Sequence, residues 1–398
     1  MGPYRYINKE GSRLNQSTSK YLRLVAFMLA MVCVFAMLVP AGVSAEAVKV
    51  KTWKELVAAV DAGRTEITLS KGFQQKEDTV GTELVLRGGA TVTVCAADGA
   101  AAEIKASLTV RGEEGGGTLA LQGIDLVALS DHPALYVLGE GAKVEAGNLT
   151  GGKASVGTPT PALIAEGDAV VTVGTVTGTD VKNTSMGGIG ILVIDSVTVE
   201  AEAITAGSSA KGYGGTAVIA AGNASVTVNG NAQGGNGQIA SGWATRAAGN
   251  AAVTVLGTAA DGTKVEGAKP VAVPEDANDL SALRYMLLRG DTDIALSQSF
   301  KYAESVISEK MFGREYWIAF GEEPVRIHRA DKAKKNVSFS GTHRFISGSF
   351  EMDGIDLNSH GPALILSPEA GSASPWIPRC ITIPARSTKS RKPIRTVT

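Results

Sequence analysis

The chain is poor in the residues that hold most small exported domains together. Three of its 398 residues are cysteines, and only 5% are aromatic. Charged residues make up 19%, below the level of about 25% usual for soluble domains. The formal net charge is -1, so no excess of either sign points to nucleic acid or to an anionic membrane. Cys33 lies in an apolar N-terminal run, which leaves Cys95 and Cys380. Two such cysteines do not make a disulfide framework. Few aromatics argue against one thick core, and 48 glycines argue against a helical bundle, because glycine weakens helix interiors. What remains suits many short strands joined by tight turns, with narrow cross-sections filled by Val, Ile, Leu and Ala.

The N-terminus reads as an export signal. Lys20 and Arg23 precede an uncharged run from Leu24 to Val43, which ends in Pro40, Gly42 and Val43-Ser44-Ala45. Basic segment, apolar segment and small-residue site are the three parts of a secretory signal, with cleavage expected after Ala45. An uncleaved anchor is the alternative, since about 20 apolar residues can span a bilayer. Any membrane contact is expected only through this segment, and the protein is expected to be secreted or at the cell surface.

The rest of the chain repeats. Gly167-Asp168-Ala169-Val170-Val171-Thr172-Val173 returns as Ile194-Asp195-Ser196-Val197-Thr198-Val199. It returns again as Gly222-Asn223-Ala224-Ser225-Val226-Thr227-Val228 and Gly249-Asn250-Ala251-Ala252-Val253-Thr254-Val255. Ala142 to Ala146 extends the series backwards. A second short apolar run precedes each core: Ala134 to Leu138, Ala162 to Ala165, Ile189 to Val193 and Thr216 to Ala220. In the last unit it decays to Trp243-Ala244-Thr245. Alternation in Val-Thr-Val puts the valines on one face and threonine on the other. No unit can bury its apolar face alone, so the units must stack. A β-sandwich also uses short, regularly spaced strands. Recurrence of a whole unit favours a solenoid.

A longer repeat frames the first. Thr52 to Gly63 predicts a capped amphipathic helix, with Thr52 and Glu55 as capping box and Trp53, Leu56 and Val60 as its stripe. The device returns from Asp279, with Leu280, Leu283 and Leu287 as stripe and Gly290 at the end. Gly123-Ile124-Asp125-Leu126 is echoed by Gly354-Ile355-Asp356-Leu357, and His132-Pro133-Ala134-Leu135 by His360-Gly361-Pro362-Ala363-Leu364. The expected architecture is all-β: a right-handed parallel β-helix with a short N-terminal capping helix, and a second, partial copy after a linker. The expected boundaries are a signal peptide (1–45), a first β-helix module (46–266), a linker (267–278), a truncated second module (279–371) and a basic, disordered tail (372–398). One hypothesis for the tail is a truncated or out-of-frame end of a longer multi-module protein; a native end is the other reading.

The cap motif (Trp53, Leu56, Val60, Gly63, Ile67 and Leu69) resembles the cap of right-handed β-helix surface proteins exported by Firmicutes. These are the adhesin-like and pectate-lyase-like proteins. The Gly-Asn-Ala-Ser-Val-Thr-Val units resemble their coils. The resemblance implies fold, export and surface location, and fold alone does not transfer activity.

Candidate chemistry is sparse. Lyases of this shape need clustered carboxylates for Ca²⁺ and a basic residue, and hydrolases need paired carboxylates. Glu145, Glu166, Asp168, Asp180, Asp195, Glu200 and Glu202 are scattered along the repeats. The candidate ligand contacts are Asp125 and His132 (with Asp131), echoed by Asp356 and His360. Each also reads as a turn residue. Trp243 reads either as a sugar-stacking platform or as packing. His328, Lys332, Lys334 and Lys335 read as a solvated basic loop. No catalytic residue, metal ligand or cofactor is expected. The expected partner is a polysaccharide or a surface protein, not nucleic acid. The leading expectation is a non-enzymatic adhesin or envelope scaffold. The alternative is a polysaccharide lyase or glycoside hydrolase of pectate-lyase-like fold.

Overall fold

The computed structural model describes residues 47–366, apart from 98–101, 131, 154–158, 184, 266–268, 270, 302–313, 321–322, 334–336, 341, 347–349 and 359–363. The expected cleavage site at Ala45, the echo at His360 and the tail lie outside these residues, as does Asp131. The described residues from Val48 to Leu366 form one compact unit.

The chain is a right-handed parallel β-solenoid of about nine turns. Every coil visits three faces in the same order. Leu135–Gly139, Ala142–Ala146 and Leu149–Thr150 trace one coil. The next coil follows with Leu163–Ala165 and then Val170–Thr177, which bends through two faces. The first and second faces belong to one 14-stranded sheet, and the third is a 7-stranded sheet. All described pairings are parallel. Register advances by one repeat per coil: Val144 pairs Val171, Val171 pairs Val199, and Val199 pairs Val226.

Three inward columns make the core. Val144, Val171, Val199 and Val226 form the first. Leu149, Val176, Ile204 and Ala232 form the second. Leu135, Leu163, Ile191 and Val218 form the third. All are buried, and each Leu, Ile or Val contributes about 1.5–3 kcal/mol by leaving water. Threonine alternates outward from the same strands, as its period requires.

The sequence places glycine where the backbone turns or where coils touch. Gly139, Gly167, Gly222 and Gly249 turn the third face into the first with positive φ, and Asp195 takes the same conformation at φ 70°. Across the loops that lead back to the third face, a single file of hydrogen bonds runs from coil to coil. Gly207 N–H donates to Gly188, Gly215 to Gly207, Gly235 to Gly215, Gly242 to Gly235 and Gly262 to Gly242. A Cβ built on Gly207, Gly215, Gly235, Gly242 or Gly262 would fall on backbone of the facing loop, so only glycine fits.

Helix α1 (Trp53–Asp61) caps the first coil. Thr52 Oγ1 accepts from Glu55 N–H at 3.3 Å, and Glu55 reaches back to Lys51 N–H at 2.7 Å. Trp53, Leu56 and Val60 are buried as the stripe requires, joined by Ala59. Helix α2 (Leu280–Arg289) repeats the device, with Asp279 accepting from Ala282 N–H at 2.7 Å and Gly290 left-handed at φ 94°. Its apolar face departs from the expected stripe. Leu283, Met286, Leu287 and Leu288 are buried, while Leu280 is only partly so.

After α2 come three 3-stranded parallel sheets, so the second copy is a short coil stack of its own. The two copies match in register. Val50 pairs Leu69 ahead of the first coil, and Ala277 bridges Leu296 ahead of the second stack. Ile124 and Ile355 open equivalent strands after left-handed Gly123 and Gly354. The second stack lies along the flank of the first. Leu283, Met286 and Leu287 belong to one buried cluster with Tyr136, Ile164, Leu192 and Ile219, which point outward from the third face. Met186 N–H donates to Ser281 Oγ at 3.2 Å across that join.

Candidate functional site

The three faces of the first stack differ in what they offer a partner. From Tyr136 to Ile219 the outward row of the third face packs in one buried cluster with the second stack, whereas its first strands carry the partly exposed pairs Arg87–Glu113 and Arg111–Glu83. Among the polar members of the row, with Thr109 and Arg246, Tyr136 donates its hydroxyl to Glu166 Oε1 at 2.8 Å, and both are buried. In the sequence Glu166 is one of several scattered acids. Its pairing with a tyrosine one coil away has no local signal.

The first face is open and flat. Its two outward columns are set by register. Thr91 and Thr118 lead one column, which continues through Lys143 and Val170 to Thr198 and Ser225. Thr93, Thr172, Thr227 and Thr254 lie in the other, with Ala120, Glu145 and Glu200 between them. Parallel strands sit about 4.8 Å apart, so hydroxyls, amides and a few charges form a grid of fixed spacing. Glu145 and Glu200 are two coils apart, about 10 Å by the same spacing. Both are exposed, and Glu200 Oε1 accepts from Asn229 Nδ2 at 3.0 Å.

Among the described residues, the polar residues singled out from sequence occupy different settings. Asp125 is half-buried at the corner between the first and second faces, where Oδ1 accepts from Asn148 N–H at 2.7 Å. Asn148 Oδ1 then accepts from Thr175 N–H at 2.8 Å in the next coil. A second such ladder runs from Asp180 through Ser208 and Asn236 to Thr263. These side chains tie corner to corner along the rod. His132 is buried, and its N–H donates to Leu129 O at 3.3 Å. Asp356 is exposed and pairs Ser338 in the second stack. His328, expected in a loop, lies on strand Val325–Arg329, with Nε2 3.3 Å from Asp293 Oδ1. Among the described residues no group of three or more His, Cys, Asp or Glu could hold a metal ion. Nor is any described helix long and apolar enough to cross a membrane.

Trp243 sits in the join between the stacks. Its ring stacks on Tyr285 of α2 with centroids 5.0 Å apart, and Tyr285 in turn meets Tyr213 at 4.9 Å. The Arg246 guanidinium lies 5.5 Å from the Trp243 centroid and 4.7 Å from that of Phe320. Burial lowers the pKa of Arg246, opposed by Asp261. Burial raises that of Tyr213, helped by Asp279 and Tyr285. Arg289 pairs with Asp291, and that hydrogen bond raises its pKa. These groups act as a latch: aromatic faces and the half-buried Arg246 guanidinium hold the second stack against the first. No protein-family model, curated protein or solved structure matches the chain, so the β-solenoid fold and these surfaces stand as its description.

Proposed function

We propose that this chain is an exported, non-catalytic β-helix protein of the cell surface, an adhesin or envelope scaffold whose first face contacts glycans or surface proteins. The observation that carries the reading is the open grid of Thr, Ser and a few charged side chains on a rigid parallel sheet, from Thr91 to Thr254. Hydroxyls at fixed spacing match the repeating hydroxyls of a polymer, and a preformed surface loses little entropy on binding. Export rests on Lys20, Arg23 and the apolar run ending at Ala45. The test is retention of the full chain on immobilised plant, host and bacterial polysaccharides and on cell-wall preparations. Saturable retention that falls at least tenfold in the double variant Thr172→Arg/Thr227→Arg supports the reading. Retention indifferent to that pair removes the first face from it.

The Glu145–Glu200 column favours a second reading, a polysaccharide-cleaving enzyme of the same fold. Its separation is close to that of an inverting carboxylate pair. Both carboxylates stand in the open on a flat sheet, whereas a general acid needs shelter to hold its proton near neutral pH. That weighs for binding over cleavage.

A further inference from the structure

The two ends of the first stack are unlike. At its start α1 buries Trp53, Leu56 and Val60 over the core. At its far end no described strand continues the stack. Ala252–Val255 pairs only with Ser225–Val228, Ala259–Ala260 only with Ala232–Gln233, and Thr245–Gly249 only with Val218–Gly222. The core is open there. Inward-pointing Val253 and Val255 are partly exposed, whereas Val226 and Val228 one coil earlier are 1% and 0% exposed. Leu256 is 67% exposed. Proteins blunt free β-edges with charge, proline or a covering element. The segment Ala251-Ala252-Val253-Thr254-Val255-Leu256 carries no charge and no proline.

We infer that this edge is the interface between two copies of the chain, closed about a two-fold axis. Helix α1 covers the opposite end of the first stack, so its copies do not stack head to tail, and the pairing that matches this edge is with the same edge of a second copy. Such a pair is isologous and closes without forming a fibre. The hydrogen-bond pattern sets its register. Ala252 and Leu256 donate their N–H groups back to Ala224 and Val228, so by alternation Val253 and Val255 point theirs at the free edge. Antiparallel pairing with Thr254 on the axis then joins Val253 of one copy to Val255 of the other, and Ala252 to Leu256. Valine meets valine inside, no like charges meet, and the edge amides and carbonyls of both valines are satisfied. Thr254 meets its own copy as a non-hydrogen-bonded pair, with Cα atoms about 4.5 Å apart. This interface uses the edge of the last strand of the first face, where Thr254 ends the grid, and its test reads dimer formation without any glycan.

The test is a site-specific cross-link in the full chain, kept in mild non-ionic detergent, with Cys33, Cys95 and Cys380 replaced by serine. Under copper-phenanthroline oxidation, Thr254→Cys gives mostly covalent dimer, while Thr227→Cys, outward in the same column one coil inside, gives less than a tenth as much. Leu256→Lys, which changes an exposed side chain and leaves the core intact, suppresses the Thr254→Cys dimer at least fivefold with the β circular-dichroism spectrum unchanged. No dimer at 254, equal dimer at both positions, or a 254 dimer that survives Leu256→Lys overturns the inference.

Discussion

At the scale of the residue, the chain depends most on side chains that are absent. Gly207, Gly215, Gly235 and Gly242 carry the file of hydrogen bonds that lets neighbouring loops touch backbone to backbone. Gly235→Ala has no room for its methyl against Gly207. It is expected to cost about 2–4 kcal/mol by chemical denaturation, at the high end for a single substitution. Gly72→Ala meets no neighbour and keeps only the strain of φ +77°, about 1–2 kcal/mol, so the two variants separate crowding from strain. Tyr213 supplies a pH prediction. Among the described residues its buried hydroxyl has no hydrogen-bond partner, and its pKa is raised by burial. The unfolded phenol ionises near pH 10 while the folded one stays protonated. The resulting stability is therefore complete below pH 10 and is lost as the pH climbs above it. Tyr213→Phe is expected to flatten the alkaline limb of the stability profile. At neutral pH it should be neutral or stabilising by up to about 1 kcal/mol, because an unsatisfied buried hydroxyl is removed. A neutral-pH loss above that size would mean that the hydroxyl is satisfied.

At the scale of the element, much was legible in the sequence, and the exceptions have physical causes. The Val-Thr-Val cores alternate over enough residues to declare a strand, and α1 announces itself through Thr52, Glu55 and the Trp53, Leu56, Val60 stripe. The second face was not legible, since Leu149–Thr150 and Ala232–Gln233 are two-residue strands that carry no period. The earliest coils escaped too. Ala90–Ala96 and Gly117–Gln122 pair as the later cores do, but their turns lack the Gly-Asn or Gly-Asp signature. Asp125 and Asp356 recur because both follow a left-handed glycine at the same corner, which a motif search cannot tell from a ligand site. The role of Trp243 was hidden because its partner, Tyr285, lies 42 positions along the chain in the second stack. Two predictions belong here. Thr52→Ala removes one cap hydrogen bond and should cost about 1 kcal/mol, whereas Trp53→Ala opens the core end and should cost about 3–5 kcal/mol. Trp243→Ala/Arg246→Ala should loosen the join, so that amides of α2 exchange hydrogen faster while those of Val171 and Val199 keep their protection. Equal acceleration in both places would mean that the stacks open as one unit.

At the scale of the whole molecule, one repeated rule produces the shape. Each coil is too small to fold alone and is stable only on its neighbour, so the rod is built from nearest-neighbour contacts. That rule leaves three kinds of surface on the first stack. From Tyr136 to Ile219 the third face is largely apolar and covered, the far end is apolar and open, and the first and second faces present polar side chains. The first face is the surface proposed to contact glycans, and among the described residues Glu145 and Glu200 are the carboxylates on it that a cleaving reading would use. The most direct test incubates the purified full chain with polysaccharides that it retains, Ca²⁺ present, and measures new reducing and unsaturated sugar ends. The account predicts retention with no sustained release of ends, unchanged in Glu145→Gln and Glu200→Gln. Sustained turnover abolished by either substitution would contradict it and make the first face an active site.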